Sequence, residues 1–131
     1  MGAVLWVCVT GALVTACGAS AARVEGAQSA GEAFVRALSA GENEKACRLL
    51  APETLRQLQD DEQKPCAQAL TGEELPRSGA VLATEVYGRQ AMLRLDGDTV
   101  FLSRFSGGWK VVAAGCTPQG EQPYQCTLKG G

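Results

Sequence analysis

The period of the apolar residues changes at Ala80, and this change restricts the chain to folds with helices first and an antiparallel sheet after them. Beyond it, four runs (80–87, 89–95, 99–105 and 109–116) alternate apolar and polar residues, as half-buried strands do. Their separators are Gly88, Asp96-Gly97-Asp98 and Ser106-Gly107-Gly108. Asp-Gly between alternating runs is a strong hairpin signal. The expectation is a meander with short connections. Alternation puts Ala91, Leu93, Leu95, Phe101, Phe105, Trp109 and Val111 on a face that packs against the helices. The other face is a mixed one, with Met92, Arg94, Val100, Leu102, Arg104, Lys110 and Val112. Apolar residues among the cations would suit a partner or a homodimer through the sheet face; alternatively, arginine and lysine stems cover the apolar ones.

Before Ala80 the spacing is helical. Ser29 and Glu32 fit a capping box, with Phe34, Val35 and Leu38 at helical intervals after it and a stop near Gly41. A second helix is expected over 43–50, with Ala46, Leu49 and Leu50 buried. A third, opened by Pro52, runs to residue 58. Asp60-Asp61-Glu62 reads as a polar break, and Pro65 opens a short turn carrying Cys66, Ala69 and Leu70.

Several chemistries are disfavoured. The chain has no histidine, so the commonest general base and metal ligand are missing. No G-x-S-x-G context surrounds a serine. The acidic triplet has neither the spacing nor the glycine of a calcium loop and is read as solvated. A formal net charge of −2 argues against nucleic acid. No cofactor and no metal are expected. Asp96 and Asp98 are assigned to their turn, while Glu85 and Tyr87 would point inward only in a shifted register.

Residues 2–16 carry no charge, which suits the apolar region of a signal peptide and is short for a membrane span. Cys8 within the run serves as a small hydrophobe. The run ends in Val14-Thr15-Ala16-Cys17-Gly18, which resembles the lipobox of bacterial lipoprotein signal peptides. The resemblance implies cleavage of residues 1–16 and a diacylglyceryl group on the sulfur of Cys17. The domain would then be anchored on the outer face of the cytoplasmic membrane. Residues 17–27, rich in Gly, Ala and Ser, read as the lipidated end and a flexible tether, and 28–131 as one domain.

Cys47, Cys66, Cys116 and Cys126 remain. An even number in an exported domain argues for disulfides, and their spacing does not suit zinc. Four cysteines allow three pairings. Sequence neighbourhood favours Cys47 with Cys66 and Cys116 with Cys126, the second pair closing a C-terminal loop that displays Tyr124.

The order of helices before a curved four-stranded antiparallel sheet resembles the cystatin-like α+β cone of nuclear-transport-factor-2-like domains. The local text is similar to small actinobacterial exported lipoproteins of that class. The residues that carry it are Ala33-Phe34 and Leu38, Ala46-Cys47-Arg48-Leu49-Leu50, Pro52-Glu53-Thr54, Pro65-Cys66 and the Gly-Gly-Trp-Lys-Val hairpin from Gly107. The resemblance implies a cone interior lined by Phe34, Leu38, Leu93, Leu95, Phe101, Trp109 and Val111. The functional expectation is a non-catalytic domain that binds an apolar ligand in the cone or an envelope protein on the sheet. The alternative is a small isomerase or dehydratase using Glu85, Tyr87 or Asp96 in a cavity, because such a scaffold does not by itself determine function.

Overall fold

The computed structural model describes Gly2 and residues 19–130. The leader and Cys17 lie outside the described residues. Four helices precede five strands: α1 Ala21–Ser39, α2 Asn43–Arg48, α3 Pro52–Glu62, α4 Cys66–Gly72, β1 Val81–Tyr87, β2 Gln90–Leu95, β3 Asp98–Phe105, β4 Gly108–Gln119 and β5 Gln122–Lys129. The strands form one antiparallel sheet in chain order. The expected α+β class and meander are present.

α1 starts at Ala21 and not at Ser29, so most of the expected tether is helix. Ser20 is the cap: its hydroxyl accepts the Arg23 N–H at 3.3 Å. The following Ala-rich turn favours helix, and its burial holds it there. Ala27 is fully buried, and Gly26 lies under the indole of Trp109, where a Cβ would come within 3.2 Å of the ring. The Ser29–Glu32 pair therefore sits in mid-helix. Gln28 donates from Nε2 to Glu32 at 2.9 Å and accepts the Thr84 hydroxyl at 3.0 Å, tying α1 to β1.

α3 begins with Pro52 as expected but continues through the acidic triplet. Gln57 donates to Asp61 one turn on (2.8 Å), and the helix closes at Gln63, whose side chain donates to the Asp60 carbonyl at 2.6 Å. The polar break is thus the last turn of a helix. Thr54, buried on the same helix, donates to the Val112 carbonyl at 3.0 Å. Val112 is the extra residue of a bulge in β4, whose neighbours pair as Phe101 with Ala113 and Leu102 with Val111. Before the bulge, residues 49–51 run beside β4, with Ala51 donating to the Val111 carbonyl and Val111 to that of Leu49, both at 2.8 Å.

The β2–β3 register overturns part of the expected core. Leu95 pairs with Asp98, so the turn is Asp96-Gly97 alone, with Gly97 at φ +93°, a conformation that favours glycine. A third turn residue would place Phe101 with Leu93. In the observed pairing Val100 faces Leu93 and Leu102 faces Ala91, all four buried. A one-residue slip exchanges the faces of a strand. Phe101 and Phe105 therefore leave the expected core face, Phe105 being 37% exposed, and Val100 and Leu102 replace them.

The C-terminal loop is also corrected. Cys116 and Cys126 stand opposite each other in the β4–β5 ladder, and the chain between them is the hairpin that makes β5 the fifth strand. Both disulfides pair as favoured, Cys47 with Cys66 linking α2 to α4 and Cys116 with Cys126 crossing β4 and β5.

The core lies between α1 and the sheet. Phe34, Leu93, Val100, Leu102 and Val111 are its fully buried large side chains. Gly31 sets the spacing: a Cβ there would collide with Leu93 and lie 3.7 Å from Leu102. The helix backbone is seated on the Leu93 side chain.

Candidate functional site

The structure divides the expected cone lining between core, rim and outer face. Phe34, Leu93, Leu95, Trp109 and Val111 pack in the core; Leu38 is half-buried at its rim; Phe101 is on the opposite face. Small residues on α1 bring helix and sheet together and fill the space that a larger helix–sheet gap would leave open.

A cleft opens at the rim. The last turns of α1, the segment between α4 and β1, and the β3–β4 ladder surround about 190 Å³, lined by Phe34, Leu38, Leu75, Arg77, Asp98 and Ala114. Its carboxylate is Asp98, which the sequence assigned to the turn. Asp98 Oδ1 accepts the N–H groups of Thr99 at 2.7 Å and Cys116 at 3.1 Å, and Oδ2 accepts that of Gly115 at 3.1 Å. Burial pushes its carboxyl above the ordinary range, against the downward pull of these three donors. Both oxygens are engaged, so the residue clamps the start of β3 to β4 beside a disulfide. Its signal in the sequence was hidden, because aspartate after Asp-Gly is also a common turn residue.

The residues proposed for catalysis are not brought together. Tyr87 is 72% exposed, Asp96 is exposed in its turn, and Glu85 pairs with Met92 on the outer face of the sheet. None of them lines this cleft. Every buried side-chain nitrogen or oxygen among the described residues has a hydrogen-bond partner. Among those residues no group of three His, Cys, Asp or Glu could hold a metal, and no helix is long and apolar enough to cross a membrane.

The outer face combines apolar and charged groups. Phe101 meets Tyr124 of β5 edge-to-face, with ring centroids 5.1 Å apart. Met92 pairs with Phe101 and Arg94 with Thr99. Lys110 donates from Nζ to the Arg48 carbonyl at 2.8 Å, bridging β4 to the end of α2. Val100 and Leu102, expected here, are in the core instead. No protein-family model matches the chain, and no similar protein was found among curated sequences or solved structures.

Proposed function

We infer that this chain is a lipid-anchored extracytoplasmic domain that works by presenting a surface to an envelope partner, without catalysis. One observation carries the choice of surface over interior: the seat of Gly31 on Leu93 closes the middle of α1 directly onto the sheet. The Phe101–Tyr124 pair with Met92 and Arg94 is the surface of choice. The helices-then-meander order supports the likeness to the cystatin-like scaffold, with β5 as an addition.

Two measurements test this. Intact-mass analysis of the chain recovered from its native membrane is expected to give Cys17 as the first residue, with an acyl-bearing mass and no free thiols. Full-length cytosolic chain with reduced cysteines would overturn the anchor. A photo-crosslinking side chain in place of Phe101 is expected to give envelope-protein adducts; adducts formed from position 38 and not from 101 would move the site to the rim cleft.

The rim cleft favours a second reading, a small enzyme that uses a carboxyl raised by burial. It requires Asp98 to release backbone donors during turnover. Its test is loss of any activity found in Asp98→Asn with the melting curve otherwise retained.

A further inference from the structure

We propose that Arg23, Arg89 and Arg104 form a docking surface for anionic phospholipid headgroups, which lays the N-terminal end of α1 against the membrane. The proposal rests on the anchor at Cys17 inferred above.

The three arginines converge on one groove of about 360 Å³, completed by Phe105 and Ser106, with no acidic side chain in its lining. They come from distant parts of the chain: Arg23 from the first turn of α1, Arg89 from the β1–β2 turn and Arg104 from the end of β3. The β2–β3 register brings the last two together. The Arg104 N–H donates to the Arg89 carbonyl at 2.9 Å, and the Arg89 guanidinium donates back to the Arg104 carbonyl from Nε (3.3 Å) and Nη2 (3.2 Å). Among the described residues the one ion pair is Lys45 with Glu42, so no carboxylate neutralises these cations. Three like charges around a groove, in a chain of net charge −2, make a local site for anions.

Position identifies the anion. Only residues 18–20 separate Cys17 from α1, so the start of the helix lies within about 14 Å of a lipidated sulfur. Arg23 is in that first turn, and Gly26 one turn on meets Trp109, which pairs with Arg104. The groove is therefore at the end of the domain that an anchor would hold near the headgroup layer. The positive end of the α1 dipole lies at that same end. Phe105 at the rim supplies an aromatic ring, a side chain suited to a membrane interface. Basic residues near an anionic leaflet each add modest, salt-sensitive attraction.

The test uses the mature chain from Cys17, with its free thiol coupled to a maleimide phospholipid and both disulfides closed. The coupled protein is placed in vesicles of phosphatidylcholine alone or with phosphatidylglycerol, and arginine modification by phenylglyoxal is followed by mass spectrometry. The expected result is modification of Arg23, Arg89 and Arg104 slowed at least about fivefold by phosphatidylglycerol, with Arg36 and Arg77 unchanged and the protection removed by high salt. Equal rates on both vesicles would overturn the proposal. Protection by inorganic phosphate on phosphatidylcholine vesicles, at matched ionic strength, would also overturn it by assigning the groove to a small free anion. Coupling supplies the tether chemically, so these outcomes judge the docking surface alone; the native mass measurement judges the anchor.

Discussion

Leu95 stands directly opposite Asp98 across the β2–β3 hairpin. That pairing decides which side chains of β3 face α1. Leu102→Ala is expected to cost about 2–5 kcal/mol, the usual range for emptying a packed leucine site. Phe101→Ala removes an aromatic pair from the outer face and is expected to cost under about 2 kcal/mol. Urea denaturation of the two variants checks this, and a larger loss for Phe101→Ala would contradict the register.

Gly31 and Leu93 form a second linked pair. Gly31→Ala gains helix propensity of about 1 kcal/mol but forces the Leu93 side chain from its place, an overpacking cost of about 1–3 kcal/mol. The expected net effect is destabilising. In Leu93→Ala the same glycine substitution becomes neutral or stabilising. A double-mutant cycle by chemical denaturation reads the difference as coupling.

The two disulfides act on different units. Removing Cys47–Cys66, which closes a separation of 19 residues, is expected to cost about 3 kcal/mol by loop entropy, and Cys116–Cys126, with a separation of 10, slightly less. In the Cys116→Ala/Cys126→Ala variant, amide hydrogen exchange is expected to rise first in β5, while α1 and β2 keep their protection.

Two carboxyls are expected to make stability depend on pH. Burial raises Glu73, and nearby Glu62 and Asp61 raise it further; burial raises Asp98. A carboxyl raised in the folded state adds stability that is complete below its unfolded value and is lost as pH climbs through the folded value. For these two groups the decline starts above the ordinary values of 4.5 and 3.8. The melting temperature is therefore expected to fall as pH rises across this window, and Glu73→Gln is expected to flatten the fall. An unchanged slope in that variant would show that Glu73 does not contribute.

Much of the architecture was legible from residues 28–116. The short runs, the Asp-Gly turn and the placement of Pro52 and Gly41 carry local preferences that the tertiary structure keeps. The misreadings come from places where the deciding interaction is distant. The sequence alone puts the cap at Ser29; the helix instead starts after Ser20, and Trp109, whose ring lies against Gly26, holds the extra turns in place. The turn length at Asp96-Gly97-Asp98 depends on Asp98, which binds amides 17 and 18 residues later. The strand 122–129 carries Pro123 and follows Pro118 and Gly120, so it reads as a loop; its partner is the far half of β4. The arginine groove was not visible at all, since its three members meet only after the hairpins close.

The early start of α1 bears on how far an anchored molecule of this kind could reach. Under the anchor proposed above, three residues would join the lipidated sulfur to the helix. Such a body would act as a short post, and whatever it met would have to pass close to the same patch of bilayer.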